Sequence, residues 1–458
     1  MIYQNDTFFG RGSELSILEK CYGSDGFGLV TISGPSGIGK TALLRRFCAG
    51  KRAVLFSAMR ADLSVNLNAL SRAVSKSLYR DVRDLVRFNS MDSALEFIYK
   101  MSEKGRLIFV IDNYDDLAAS MGSSSEMVRA YLTHIFPRHD IMLIITGSVE
   151  FDIPGIKHTS MDLGRLTFSE VCDSFQDYSG EDLVLLYGVT GGYPFVLRYF
   201  DGTKGIRENI DRLLLSPDGP LYDNIPHRLT DRVRSPETYM SLLSAICEGP
   251  TSMKEITSST SVGPASACST YLGSLIDIGI VAKENPFHEP NSRKGMYRIT
   301  DDPLRFWVRF IQGNQSLIDF RGDEDLYGKL IQKDLGKFLN QTFRDICVQF
   351  IGNNPGLFDI YPLEIGSWRT SAGDSAESID IVVGSGDHMS TMFCGCRYGG
   401  KPIGIDVYNT LVRRSKNVKV LGRRTYALFS STGFTDAMVR TAEKDNVYLL
   451  DLSDLSMY

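Results

Sequence analysis

The chain has 458 residues, of which 43% are apolar and 23% charged, with a formal net charge of −5. That length exceeds what one ordinary hydrophobic core supports and predicts roughly three domains. The composition is that of an ordinary globular protein, and the mild negative charge excludes a uniformly basic nucleic-acid coat while leaving local patches open.

The first apolar run in chain order, Leu29-Val30-Thr31-Ile32 within Gly28–Ser33, predicts a buried strand. A glycine-rich segment follows, Gly34-Pro35-Ser36-Gly37-Ile38-Gly39-Lys40-Thr41, and Thr41–Cys48 then predicts a helix with Leu43, Leu44 and Phe47 along one side. Further apolar, partly β-branched runs at Ala53–Phe56, Leu107–Ile111 and Ile141–Ile145 alternate with helical stretches at Leu67–Arg83 and Ser93–Ser102. Strands alternating with helices predict an α/β domain with a mostly parallel sheet covered on both faces. Past Asp201, turn signals at Ser216-Pro217-Asp218-Gly219-Pro220 and Ser235-Pro236 bracket a linker-like stretch. Three short helices (Thr238–Glu248, Ser252–Thr260 and Pro264–Ile278) and two strands (Ile280-Val281-Ala282 and Met296–Ile299) then describe a winged helix. A third block starts at about Gly322, with a helix over Gly328–Ile351 and strands at Ile379–Val383, Thr391–Cys394, Tyr426–Phe429 and Val447–Leu450.

Eight cysteines without a repeating spacing fit reduced, mostly buried thiols rather than a disulfide framework. The one close pair, Cys394-Gly395-Cys396, has no second pair at zinc spacing. The polar start, Met1–Gly10, has no cationic lead into an apolar stretch, and no apolar run reaches the ~18 residues a membrane crossing needs. A cytoplasmic protein with no membrane partner is expected.

The glycine-rich segment carries the chemistry. A triphosphate concentrates negative charge that many donors must hold at close range. Gly34, Gly37 and Gly39 let the backbone curl so that its N–H groups converge at the positive end of the following helix. Lys40 can then reach the β- and γ-phosphates, and Thr41 can ligate Mg²⁺ through its hydroxyl. Asp112 ends the run Leu107–Ile111, where a carboxylate can hold the metal's water shell; alone, a strand-end Asp is more often a turn or cap. Asn113 stands next, either as a simple turn residue or in place of a proton acceptor. Its amide cannot take a proton from water, so turnover is expected to be slow unless Asp115 or Asp116 substitutes. Thr146-Gly147-Ser148 ends the next strand, and Ser148 reads equally as a γ-phosphate sensor or a strand-ending turn.

Together these segments resemble the archaeal ATPase family, within the STAND class of signal-transducing P-loop ATPases, over nearly the whole chain. Phe9-Gly10-Arg11 with Glu14-Leu15 is similar to the family's opening box beside the adenine. Gly34–Thr41 resembles its Walker A motif, Leu107–Asp112 its Walker B strand, and Thr146-Gly147-Ser148 its sensor segment. Gly191-Gly192-Tyr193-Pro194 resembles the turn that closes the ATPase module near the nucleotide. Tyr297-Arg298-Ile299-Thr300-Asp301 with Arg305-Phe306-Trp307 is similar to the segment after the winged helix. The resemblance implies an AAA-like fold with sheet order 5-1-4-3-2, ATP and Mg²⁺ as ligands, nucleotide contacts from Gly10, Arg11 or Arg165, and Pro194, and ATP-driven conformational change. Asn113 departs from the family's usual Glu, which leaves binding in place and sets hydrolysis apart from it.

The third block resembles a degenerate restriction-endonuclease-like domain that often ends such ATPases. Asp380 matches its first acid, but Gly395 and Arg397 stand where that fold has its Glu and Lys, and Asn340 and Gln341 stand where its leading helix tends to be acidic. A single carboxylate holds a catalytic Mg²⁺ poorly, and Glu377 beside Asp380 reads better as a solvated acid. The domain is therefore expected not to cut nucleic acid.

Two surfaces bear on a nucleic-acid partner. The third winged-helix segment, Pro264–Leu275, has no Lys or Arg, leaving Lys283, Arg293, Lys294 and Arg298 to anchor a wing. From Arg397 to Arg424 there are eight basic residues (Arg397, Lys401, Arg413, Arg414, Lys416, Lys419, Arg423 and Arg424) against one acid, Asp406. Such a run reads as a phosphate-backbone track or as a solvated face. The sequence thus predicts a P-loop ATPase domain at 1–215, a winged helix at 216–320 and an inactive endonuclease-like domain at 321–458. The whole reads as an ATP-dependent switch, with a nucleic-acid-directed ATPase and an ATP-loaded scaffold for protein partners or oligomers as rivals.

Overall fold

The computed structural model describes residues 8–78, 86–122, 124–148, 155–230, 232–289, 292, 295–320, 325–370 and 377–457. The chain folds into two compact units. One runs up to Leu166 and includes Tyr193–Phe195; the other holds Thr167–Gly192 and the chain from Val196 onward.

The first unit is built on β1 (Gly28–Ser33), β2 (Ala53–Ser57), β3 (Leu107–Asp112), β4 (Ile141–Thr146) and β5 (Thr159–Asp162). All pair in parallel, in the order β2-β3-β4-β1-β5. Read from the other edge this is 5-1-4-3-2, the order the resemblance implied. β3 and β4 are buried at every residue, which is why each is an unbroken apolar run: a central strand covered on both faces has no solvent side. β5 has a single apolar residue, Met161, and pairs only with β1 at the sheet edge, so no apolar run announces it.

Helices cover the sheet. Lys40–Cys48 buries Leu43, Leu44 and Phe47 as its spacing predicted. Leu63–Leu78 starts a turn earlier than expected, and the expected continuation to Arg83 lies outside the described residues. Met91–Ser102 is started by Ser90, whose hydroxyl accepts from the Ser93 N–H. The apolar faces of the last two meet β2 and β3 in a core containing Phe56, Leu70, Leu95, Ile98, Phe109 and Phe136. Because every strand runs the same way, the carboxyl ends of β1, β3, β4 and β5 share one edge, where such sheets place their ligands.

The second unit contains helices Pro236–Ile246, Met253–Ser259 and Ala265–Asp277 with a three-stranded antiparallel sheet, β6 (Thr251–Ser252), β7 (Val281–Glu284) and β8 (Met296–Ile299), ordered β6-β8-β7. Met253–Ser259 begins with a reciprocal cap between Ser252 and Glu255. Helix Asp302–Phe310 follows, capped by Asp301, and buries nearly every residue including Arg305. The single helix expected over Gly328–Ile351 is interrupted. A π turn, Gly328–Gln332, ends at Lys333–Asp334 before Leu335–Asn353 begins, and the Asp334 carboxylate accepts from Arg309 at 2.6 Å. The expected start of that block, near Gly322, lies outside the described residues, as do the wing cations Arg293 and Lys294.

A second five-stranded sheet ends the chain: β9 (Pro362–Arg369), β10 (Ser378–Ser385), β11 (Ser390–Arg397), β12 (Arg423–Ser430) and β13 (Tyr448–Leu450), ordered β13-β12-β11-β10-β9. β9, β10 and β11 are antiparallel neighbours, whereas β11, β12 and β13 are parallel. The parallel steps need crossovers, supplied by helices Ile405–Ser415 and Asp436–Asp445. The expected strands lie in β10 to β13. β9 does not read from sequence because it is an edge strand, mostly half-buried, with Gly366 and Ser367 in its middle. Backbone from the β7–β8 connection covers part of that edge, with Phe287 N–H donating to Ser367 O at 2.8 Å. Among the described residues, no helix is long and apolar enough to cross a membrane.

Candidate functional site

The loop between β1 and helix Lys40–Cys48 turns on three glycines at positive φ, Gly34 (143°), Gly37 (82°) and Gly39 (99°). All three are at conformations that side chains resist. Space enforces the same choice. A Cβ on Gly37 would sit 3.0 Å from the Phe195 ring, and one on Gly34 would sit 2.7 Å from Leu163 O. Pro194 packs 3.5 Å from where a Gly39 Cβ would lie, so Pro194 and Phe195 roof the loop. Ile38 is fully buried beneath it, while Pro35, Ser36 and Gly37 are exposed. Lys40 is 8% exposed and its ammonium donates to the Gly34 and Pro35 carbonyls, the second at 3.2 Å. Burial pushes the Lys40 pKa down, opposed by Asp112, Asp115 and Asp162 facing it.

The strand ends meet this loop. Asp112 closes β3 at 3% exposure, and three hydroxyls donate to its carboxylate: Thr41 to Oδ2 at 2.7 Å, Ser57 to Oδ2 at 3.2 Å and Thr146 to Oδ1 at 2.6 Å. A hydroxyl and a carboxylate brought together at the start of the loop's helix suit a small hard dication, which takes one or two protein oxygens and completes its shell with phosphate and water. Asn113 is exposed and left-handed at φ 59°, and its N–H donates to Thr146 Oγ1 at 3.0 Å. Ser148 is exposed, and both its N–H and its hydroxyl donate to Asp115 Oδ2, at 2.6 and 2.5 Å. At the end of β5, Asp162 accepts from Ser33 Oγ at 2.7 Å.

The amino-terminal box is arranged differently from a direct ligand contact. Gly10 and Arg11 are both left-handed, and Arg11 is 4% exposed. Its guanidinium donates to Glu14 at 2.9 Å, to Ile38 O at 3.0 Å and to Gly164 O at 2.6 Å. Arg11 thus ties the loop's backbone to the segment after β5. Arg165 lies over the Tyr193 ring, 5.6 Å from its centroid.

Sequence reasoning put Gly34–Thr41, Asp112, Asn113 and Pro194 in one place, and the structure brings them together. It overlooked Ser57, Ser33 and Asp162, each at the carboxyl end of a strand. A hydroxyl or acid closing a strand was the available signal.

In the carboxyl-terminal sheet, Asp380 on β10 lies between two cavities of about 230 and 250 Å³ that share Ser378, Ile379 and Asp380. Burial raises its pKa despite a 3.0 Å hydrogen bond from Cys396 N–H and the nearby Arg344, Arg369 and Arg414. Asn340, Gln341 and Cys396 line the first cavity, Gly395 and Arg397 the second. Glu377 is paired with Arg413 at 2.5 Å. Glu284, also on the first cavity, is held by Arg298 and Arg344.

A parallel sheet of this order with a glycine loop running into a helix defines a P-loop nucleotide-binding fold. Residues 7–144 match the family described as the AAA ATPase domain, and residues 307–403 match a family described as archaea bacterial proteins of unknown function. The chain therefore carries an AAA-type P-loop ATPase domain, a class that binds nucleotide, usually with Mg²⁺.

Among solved structures, a Walker-type ATPase of Pyrococcus abyssi is similar at 17% identity, over 67% of this chain and 97% of that one, with a TM-score of 0.47. A signal transduction ATPase with numerous domains and a tetratricopeptide repeat sensor, from Pyrococcus horikoshii, is similar at 18% identity, over 77% of this chain and 50% of that one, with a TM-score of 0.32. The Aeropyrum pernix Orc1 protein, solved in complex with DNA, is similar at 16% identity, over 66% of this chain and 92% of that one, with a TM-score of 0.32. No curated protein matches the chain.

Proposed function

We propose that the chain is an ATP-binding conformational switch. The observation that carries this reading is the convergence of Thr41, Asp112 and Lys40 beneath a loop held open by three glycines. In it, the backbone N–H groups from Gly37 to Thr41 and the Lys40 ammonium hold the β- and γ-phosphates. Thr41 and Asp112 hold Mg²⁺, which when bound offsets phosphate charge. On nucleotide binding Lys40 exchanges its two loop carbonyls for phosphate oxygens. Pro194 and Phe195, packed on Gly39 and Gly37, register the loop's state, and the chain continues directly from them into the helical segments. The order helix, strand, helix, helix, hairpin from Pro236 to Ile299 supports a winged helix as one responding part.

The carboxyl-terminal unit supports a non-cutting role. Asp380 has glycine and arginine on the next strand where an acid and a lysine would be needed, and two further acids, Glu377 and Glu284, are already paired with arginines.

Calorimetric titration with Mg²⁺-ATP tests the reading: the wild-type chain binds, and Lys40→Ala weakens binding at least tenfold. Unchanged affinity in Lys40→Ala would refute it.

A second reading, action on nucleic acid, keeps one supporting observation. Arg397, Lys401, Lys416, Lys419 and Arg423 are exposed. The rest of that basic run is engaged: Arg413 with Glu377, Arg414 with Ser378 O, and Arg424 with Ser415 O and Val418 O. Phosphate release measured with and without DNA, across a salt series, separates the two readings.

A further inference from the structure

Hydrolysis in a phosphate-loop site needs a group that orients the attacking water and accepts its proton, and the residue after the strand-end acid is here an amide. Asn113 is also pinned by its backbone, through its left-handed φ of 59° and its N–H bond to Thr146. Three acids besides Asp112 stand at or just after the carboxyl ends of the strands: Asp115 and Asp116 after β3, and Asp162 at the end of β5.

They are not equivalent. The charges of Asp112, Asp115 and Asp162 act on Lys40, which marks where the γ-phosphate goes, and it is Asp115 that the end of β4 holds through Ser148. Asp162 ends β5, on the opposite side of β1 from β4, and its Oδ1 is taken by Ser33. Asp115 stands on the first turn of helix Tyr114–Met121, on the β3–β4 side where Asp112 and Thr146 also lie. Ser148, at the end of β4, fixes the Asp115 carboxylate by donating twice to Oδ2. Among the described residues, Oδ1 receives no hydrogen bond. One oxygen is thus immobilised and the other is left to accept from water. This is the division of labour that a base needs, because orientation must be settled before the proton moves.

We propose that Asp115 is the base for ATP hydrolysis in this chain, with Ser148 as the residue that positions it. The inference rests on the nucleotide-binding reading above. In the step, the water oxygen bonds to the γ-phosphorus as the bond from that phosphorus to the β–γ bridging oxygen breaks. The water proton passes to Asp115 Oδ1, and the electron pair of the broken bond stays on the β-phosphate of ADP. Asp115 then returns the proton to the released phosphate or to solvent. Ser148 serves the carboxylate rather than contacting the phosphate.

The test uses the full chain and two readouts, single-turnover hydrolysis of radiolabelled ATP and equilibrium capture of fluorescent ADP with aluminium fluoride, which mimics the transferring phosphoryl group. Asp115→Asn keeps an oxygen for the two Ser148 donors, so it preserves the local fold. It should bind a non-hydrolysable ATP analogue within about twofold of wild type, lower the turnover rate about a hundredfold or more, and lose the fluoride complex. Ser148→Ala should lower the rate about tenfold with KM unchanged. Asp116→Asn should leave the rate within twofold. Adding Asn113→Glu to Asp115→Asn should restore hydrolysis by supplying a carboxylate from the neighbouring position.

Turnover in Asp115→Asn equal to wild type would overturn the proposal, as would a wild-type chain that binds the analogue yet shows no single turnover. Failure of the wild-type chain to bind the analogue would instead sink the nucleotide-binding reading itself.

Discussion

Thr146 Oγ1 donates to Asp112 Oδ1 at 2.6 Å and accepts from Asn113 N–H at 3.0 Å, so one hydroxyl at the end of β4 fixes both residues that close β3. Thr146 is fully buried, and valine has nearly its shape without the hydroxyl. Thr146→Val should lower unfolding free energy by about 1.5–3 kcal/mol, the usual loss for a hydrogen bond to a charged group. Urea titration measures it, and Thr146→Ser should recover most of the loss. A Thr146→Val protein as stable as wild type would show that this hydroxyl is not needed to hold Asp112.

Arg305 is fully buried in the helix that follows the β7–β8 hairpin. It donates to Phe338 O at 3.1 Å and to Thr342 Oγ1 at 2.8 Å, lies 3.5 Å from Asp302, and stacks 3.8 Å from the Phe338 ring centroid. Truncation would leave Phe338 O and Thr342 Oγ1 without these donors and remove a counter-charge from the buried Asp302 carboxylate. Arg305→Ala should therefore cost about 3–5 kcal/mol in urea unfolding, and a loss below about 1 kcal/mol would show that the pair is not held as ions.

Glu284 and Asp380 line the same cavity and respond oppositely to pH. Burial would raise the Glu284 pKa, but Arg344 and Arg298 outweigh it and the net shift is downward from 4.5. For Asp380 burial wins and the shift is upward from 3.8. A depressed carboxylate adds stability above its unfolded pKa and loses it as pH falls through the folded value. A raised one costs stability as pH climbs from the unfolded pKa through the folded value. Hence Glu284→Gln should be less stable than wild type at pH 7, with the gap closing below pH 4.5. Asp380→Asn should be more stable than wild type at pH 7 and equal to it below pH 3.8. Urea midpoints across pH 3–7 decide both, and matching slopes for the two variants would contradict the opposed directions.

Burial pushes the Cys48 and Cys172 thiols up to about 12, and Cys247, Cys347 and Cys394 also rise. Only thiolate alkylates readily. Brief iodoacetamide treatment of the native chain at pH 8 should label Cys21 and Cys396, the two half-exposed cysteines, and spare the others. Peptide mass spectrometry reads the pattern. Early labelling of Cys48 or Cys172 would mean that their helices open easily.

What could be read in advance follows from where each segment sits. β1, β3 and β4 are central and therefore announce themselves as apolar runs; β2 is an edge strand but still carries Val54, Leu55 and Phe56 in a row, whereas the edge strands β5 and β9 have few inward side chains. Gly34 to Thr41 was legible because the steric and electrostatic demands of a phosphate fall on consecutive residues. Arg11 was not, since its carbonyl partners lie on Ile38 and Gly164, the second 153 residues away in sequence. The Asp115–Ser148 pairing was hidden for the same reason: each residue looks like an ordinary turn until β3 and β4 are placed side by side.

Tyr193–Phe195 belongs to the first unit although the chain on both sides of it belongs to the second. A gene truncated after Leu166 would therefore encode all five strands yet lack the residues that cap Gly37 and Gly39. Anyone dissecting this protein into pieces should expect such a fragment to bind nucleotide differently from the intact chain, unless those three residues are grafted back.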